Sequence, residues 1–141
     1  LLSHTDNQAQ YKKQKVGVVG YCMSGPFAIA AASFFPDRIF SAASIYGANL
    51  VTKRDDSPHK IARRARAELY FACAEVDNWA SKETIKSLDK ALSDYGVRYR
   101  IEWFAGVEHG FAFPSRLGIY HRLSAEKHWN RLFSLFQRTL Y

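Results

Sequence analysis

The stretch VGVVGYCMSG, Val16 to Gly25, sets a cysteine among small residues: Gly20 lies two positions before Cys22, Ser24 two after, and Gly25 next. A chain that turns tightly from strand into helix lifts one side chain above the sheet and crowds the positions two away on either side. Gly-x-Cys-x-Ser is thus the cysteine form of the nucleophile elbow, whose serine form is Gly-x-Ser-x-Gly. The helix N-terminus beyond the turn favours the ionised thiol. The backbone N–H of Met23, one residue further on, would point at a developing oxyanion. The chemistry such a corner serves is acyl transfer through a covalent intermediate.

A thiol nucleophile needs a base, and the base needs an orienting partner. In parallel α/β sheets such groups gather at the carboxyl ends of strands. Asp77 lies three residues beyond the apolar run Leu69–Ala74, and Glu75 is a rival acid at the same end. His109 lies five residues beyond the run ending at Phe104, in the glycine-flanked loop AGVEHGF. His59, His121 and His128 lack that placement, and Cys73 falls inside a strand, where a core role is expected. Nucleophile, acid, histidine is the order of α/β-hydrolases.

These positions require a particular scaffold. Val16–Val19 is a short apolar run suited to a strand buried on both faces. Met23–Phe35 is apolar on nearly every side, which reads as a buried helix, with Pro26 in its first turn. Ala42–Tyr46 reads as a second strand, and Ala48–Ala67 as a basic loop with a short helix after Ser57-Pro58. Leu69–Ala74 is the third strand. Ser81 is an N-cap for a helix with the stripe Ile85, Leu88, Leu92, Tyr95, stopped at Gly96. Val97–Phe104 alternates apolar and charged residues, as a strand near a sheet edge does. Ser124 opens a last helix with Ala125, His128, Trp129, Leu132, Phe133 and Phe136 on its inner side. The order βα-β-βα-βα predicts an α/β fold with a mainly parallel sheet flanked by helices.

Composition narrows the class further. The 141 residues are 48% hydrophobic and 23% charged, as in a globular domain. No run of 18 apolar residues offers a membrane-spanning helix. Two cysteines are too few for a disulfide framework, so a reducing compartment, the cytoplasm, is expected. The net charge of +7 comes from clusters at Lys12, Lys13 and Lys15, at Lys53 and Arg54, and at Lys60, Arg63, Arg64 and Arg66. None is interleaved with aromatics, so they read as a solvated basic surface; neither nucleic acid nor membrane is an expected partner. The first residues, polar after Leu2, are no signal peptide, and the chain has no initiator methionine, which raises the expectation of a fragment.

GYCMSG, AEVD and GVEHGF resemble the three motifs of the dienelactone hydrolase family, the carboxymethylenebutenolidase-like α/β-hydrolases. The resemblance runs from about Lys15 to the C-terminus, and makes residues 1–14 a polar N-terminal segment and 15–141 the hydrolase domain. Carried across, it implies that Cys22 is the nucleophile, His109 the base and Asp77 its orienter, with no metal or organic cofactor. It implies hydrolysis of a small ester or lactone through an acyl-enzyme. Two departures stand out. The family's elbow strand sits mid-domain, so this chain corresponds to the C-terminal portion of the fold, without the loop that carries the second oxyanion N–H. Its open Val16–Val19 edge invites pairing with another copy. The family's dienelactone enzymes also carry an arginine four residues after the histidine, where this chain has Phe113; Arg116 is near but out of register. A thiol leaves a tetrahedral adduct more easily than an alkoxide, so enol esters, aryl esters and thioesters suit Cys22 best. Trp79, Phe111 and Phe113 are expected to line an apolar acyl site. A non-catalytic remnant of the same fold is the rival reading.

Overall fold

A computed structural model of the protein describes residues 2–6 and 14–141. Most of the expected polar segment 1–14, including Lys12 and Lys13, therefore lies outside the described residues, apart from a short helix α1 (Leu2–Asp6) and residue 14. Four strands follow: β1 (Val16–Tyr21), β2 (Ile39–Ile45), β3 (Glu68–Val76) and β4 (Tyr99–Glu108). They pair in parallel in the order β1-β2-β3-β4. The helices are α2 (Gly25–Phe34), α3 (Pro58–Ile61), α4 (Lys82–Asp94) and α5 (Arg122–Leu140).

The period of two along β3 builds a core on each face of the sheet. Leu69, Phe71 and Cys73 join Ile29 and Ala32 of α2 and Ile85, Leu88 and Leu92 of α4 on one side. Tyr70, Ala72 and Ala74 join Phe104, Phe111 and, from α5, Leu132 and Leu135 on the other. Both α4 signals act as the sequence implies: the Ser81 hydroxyl accepts from the Thr84 N–H at 3.2 Å, and Gly96 takes φ +64° at the C-terminus.

Four expectations are corrected. β1 takes the open edge expected of it, paired only with β2 among the described residues, but its run is not buried on both faces: Val16 and Val18 are half-buried and Val19 is 40% exposed. α2 buries Ala28, Ile29, Ala32 and Ser33, while Phe27, Phe34 and Phe35 are more than half exposed: one side of the helix is only partly covered among the described residues. α5 begins at Arg122, capped by His121 rather than Ser124; the His121 ring accepts from the Ser124 N–H at 3.3 Å. Its inner face is Ala125, His128, Leu132 and Leu135, and Trp129 and Phe133 stack on each other outside it. The helical period permits either phase for an aromatic pair one step off the stripe; contact with the sheet decides.

Ion pairs lock α5 against the sheet. Glu102 of β4 accepts from the Tyr70 hydroxyl and from Arg131 Nε, both at 2.9 Å, and pairs with Lys127 at 3.0 Å. Partial burial would raise the Glu102 carboxyl, but the hydrogen bonds from Arg131, Lys127 and Tyr70 outweigh it and hold it at about 2. Glu68 of β3 is bound by Arg138 and Arg98 in the same manner.

Candidate functional site

The carboxyl ends of β1, β3 and β4 bring three side chains together. β1 ends at Tyr21, and Cys22 follows at φ +53°. A left-handed backbone at a residue with a side chain costs about 1–3 kcal/mol, and such strain concentrates where function requires it. The neighbours show why the spacing is needed. A Cβ on Gly20 would stand 2.0 Å from the Ser24 carbonyl oxygen, and one on Gly25 would stand 2.7 Å from Gly47 Cα. The Ser24 hydroxyl accepts from the Tyr21 N–H at 2.8 Å and donates to the Tyr21 carbonyl at 2.7 Å, which staples the turn across Cys22. The Cys22 carbonyl accepts from the Ala48 N–H at 3.1 Å. Met23 follows in the first helical turn, where amides have no intrahelical partner, and its side chain is 72% exposed.

Asp77 is the first residue past β3 and His109 the first past β4, because both strands run further than their apolar runs imply. His109 Nδ1–H donates to Asp77 Oδ2 at 2.8 Å, where the carboxylate is 1% exposed. The other carboxylate oxygen accepts from the Trp79 N–H at 2.8 Å, and the His109 N–H reaches the Val76 carbonyl at 3.1 Å. Glu75, the rival acid, is engaged elsewhere: it accepts from the Gly106 N–H at 2.7 Å. The acid bound to the imidazole is Asp77.

With Nδ1 committed as a donor, His109 Nε2 is left with a lone pair; it is buried and makes no hydrogen bond among the described residues. The Asp77 hydrogen bond raises the His109 pKa, burial opposes it, and the nearby Cys22 thiol adds to the rise. The thiol is thus close enough to act on the ring, although no well-aligned S–H···N bond is formed. Such an unbonded base beside a half-buried thiol can take a proton from sulfur when a substrate aligns the two.

Aromatic rings wall the site. Phe113 lies 5.2 Å from Tyr21 and 6.3 Å from Tyr46, centroid to centroid, and is 42% exposed, so it borders the opening. Phe111, expected beside it, is instead wholly buried and stacked on Phe104 at 5.0 Å, so it supports the site from within the core. The Trp79 side chain is largely exposed, and it is the backbone of that residue that enters the site. Arg116 Nη1 donates to the His109 carbonyl at 3.2 Å and its guanidinium fills the space beside Gly110, so it braces the histidine loop.

Sequence reasoning missed two groups. The Tyr21 hydroxyl donates to Nε2 of buried His128 at 3.0 Å, and His128 Nδ1 donates to the Ala125 carbonyl, so α5 is tied to the residue before the nucleophile. Burial lowers the His128 pKa and pushes the Tyr21 phenol up to about 12, which keeps both neutral. His128 on the inner stripe of α5 was the available signal. Tyr46, buried under the site, is the second.

Comparison with known proteins gives a consistent picture. The sequence pattern of the dienelactone hydrolase family matches residues 1–140. Protein usf of Aquifex pyrophilus is 28% identical over 127 residues, covering 90% of this chain and 52% of its own length. A carboxymethylenebutenolidase homolog of Mus musculus is 28% identical over 108 residues, covering 76% of this chain and 41% of its own. Among solved structures, a dienelactone hydrolase-like promiscuous phosphotriesterase from metagenomic libraries superposes with a TM-score of 0.79 at 18% identity, over 95% of this chain and 57% of that one. The shared architecture is the α/β-hydrolase fold. The chain spans about half the length of these relatives.

Proposed function

The chain belongs to the dienelactone hydrolase family, and on that premise we propose that it hydrolyses activated esters, enol-lactones or thioesters through a Cys22–His109–Asp77 triad and a Cys22 acyl-enzyme. The observation that carries this reading is the buried 2.8 Å Asp77–His109 bond, which leaves His109 Nε2 unbonded with the thiol of the strained elbow near enough to act on the ring. Nδ1 holds its proton against Asp77, so Nε2 is the only ring atom able to accept another.

The Cys22 proton passes to His109 Nε2 as sulfur attacks the carbonyl carbon, and the carbonyl π pair moves onto oxygen. The Met23 N–H donates to that oxyanion. The adduct collapses with cleavage of the C–O or C–S bond, and the leaving group takes the proton from His109. Water then loses a proton to Nε2 and attacks the thioester; cleavage of the C–S bond returns Cys22. Because the thiol is a good leaving group, the first adduct goes forward best when the departing alcohol is an enol or phenol or when the departing group is another thiol. Phe113, where the family's dienelactone enzymes carry an arginine, favours acyl groups without a carboxylate.

The test is hydrolysis of p-nitrophenyl acetate, with the acetylated peptide located by mass spectrometry. Turnover with acetyl on Cys22, lost in Cys22→Ala, is the expected result. Turnover of equal rate in Cys22→Ala refutes the assignment.

A further inference from the structure

We propose that the Tyr46 hydroxyl is a hydrogen-bond donor held in reserve for the Cys22 thiolate, and so a further member of the catalytic machinery. The inference rests on the reading of Cys22 as nucleophile.

Two independent features single out Tyr46. Its hydroxyl is buried and makes no hydrogen bond among the described residues, an arrangement that buried phenols rarely tolerate. Its backbone has φ +38°, a region that bulky residues seldom enter, while its N–H is tied to the Ala72 carbonyl at 2.7 Å. The chain therefore bears strain at a residue whose buried phenol is unpaired among the described residues, and the place is the site itself. The Tyr46 ring packs 5.0 Å from the His109 ring and 5.8 Å from Tyr21, and Cys22 packs on the same cluster.

Elimination identifies the partner. The polar groups around the phenol are Tyr21, His109, Arg116 and Cys22. The Tyr21 hydroxyl spends its proton on His128, and its oxygen remains a neutral, weaker acceptor. Arg116 has donors only, and one is engaged by the His109 carbonyl. His109 Nε2, the open acceptor beside the ring, stops accepting once it takes the thiol proton, and of the groups that remain the Cys22 sulfur alone becomes an anion. Burial raises the Tyr46 pKa, so the phenol keeps its proton at every working pH and serves as donor, never as base. When His109 Nε2 takes the thiol proton, the sulfur becomes an anion beside the packed rings of His109 and Tyr46. Rotation of the Cys22 side chain then brings it to a donor that has no competing partner. No bond of Tyr46 breaks; its O–H···S⁻ contact and the imidazolium share the stabilisation of the ion pair.

The experiment is iodoacetamide alkylation of the full protein and of Tyr46→Phe, followed by mass spectrometry of the Cys22 peptide across pH. Cys73 stays silent, because burial pushes its thiol up to about 12. Loss of a charge-assisted bond lowers the thiolate share about tenfold, and the less stabilised sulfur attacks somewhat faster, which leaves a rate about threefold slower near neutral pH. The expected result is that slowing, with the whole alkylation profile moved to higher pH and no loss of folded stability, since an unpaired hydroxyl has been removed. A wild-type protein that alkylates faster than a model peptide thiol, with Tyr46→Phe indistinguishable from it at every pH, overturns the role of Tyr46 and leaves the triad standing. Wild-type Cys22 no faster than the model thiol removes the nucleophile assignment and this inference together. Should Tyr46→Phe fail to fold, replacement of Tyr46 by 3-fluorotyrosine, a stronger donor of nearly the same shape, moves the profile to lower pH; an unmoved profile refutes the proposal.

Discussion

Gly20→Ala tests the elbow more sharply than any change at the nucleophile, because its cost follows from contacts alone. The new methyl carbon would stand 2.0 Å from the Ser24 carbonyl oxygen, 2.5 Å from Ser24 carbonyl carbon and 2.9 Å from Gly25 nitrogen. All three are backbone atoms, so no side chain can swing aside. Carbon atoms rest about 3.5–4.0 Å apart, so the turn must open by more than about 1 Å. Opening it strains the two Ser24 hydroxyl bonds across Cys22. Overpacking that moves backbone costs about 1–3 kcal/mol, and two hydrogen bonds add about 1 kcal/mol each, for a total of about 3–5 kcal/mol. Gly96→Ala is the control: nothing lies within 4 Å of its added carbon, and φ is +64°. Only the left-handed penalty of about 1–2 kcal/mol applies there. Urea unfolding of both variants measures the difference, and in thermal melts Gly20→Ala falls roughly 10–15 °C. A Gly20→Ala unfolding free energy within about 1 kcal/mol of wild type, or a Gly96→Ala that is the worse of the two, refutes the tight-turn account.

Three further outcomes follow from the same contacts. Asp77→Asn reduces ester turnover roughly 10³–10⁴-fold by disturbing the His109 tautomer, whereas Glu75→Gln, which keeps an acceptor for the Gly106 N–H, stays within about tenfold; steady-state kinetics separate them, and equal effects would reinstate Glu75 as a candidate acid. Glu102 is held at about 2 in the fold against an ordinary 4.5, so on acidification the unfolded chain takes up the proton first; the stability it contributes is full above about 4.5 and is lost as the pH falls to about 2. Glu102→Gln therefore flattens the acid limb of a stability–pH curve in that window, and an unchanged slope would contradict the network. Amide exchange reads the open side of β1: the N–H groups of Val16–Val19 turned away from β2 exchange fast in a monomer and slowly only if another chain or segment covers them, so a monomer with all of them protected would overturn the edge assignment.

The Cys22 corner was legible in sequence because its requirement is local. Gly20 and Ser24 are small for a reason that ten residues of chain contain, and Cys22 takes its positive φ from that turn. The βα alternation, the α4 stripe with its Ser81 cap, and the order Cys22, Asp77, His109 are likewise local or nearly so. The choice between Asp77 and Glu75 was not. Two acids at one strand end differ in function only through the direction each side chain takes, and that is fixed by how β4 continues past Phe104 to Glu108, placing Gly106 opposite one acid and His109 opposite the other. The exposure of Val19, Phe27 and Phe34 and the outward turn of Trp129 and Phe133 depend on which surfaces the sheet brings into contact. The unpaired hydroxyl of Tyr46 and the bond between His128 and Tyr21 could not be read from the sequence for the same reason. A buried hydroxyl without a partner, and a ring nitrogen bonded to a tyrosine 107 positions away, are properties of surroundings supplied by distant segments, and only folding brings those segments together.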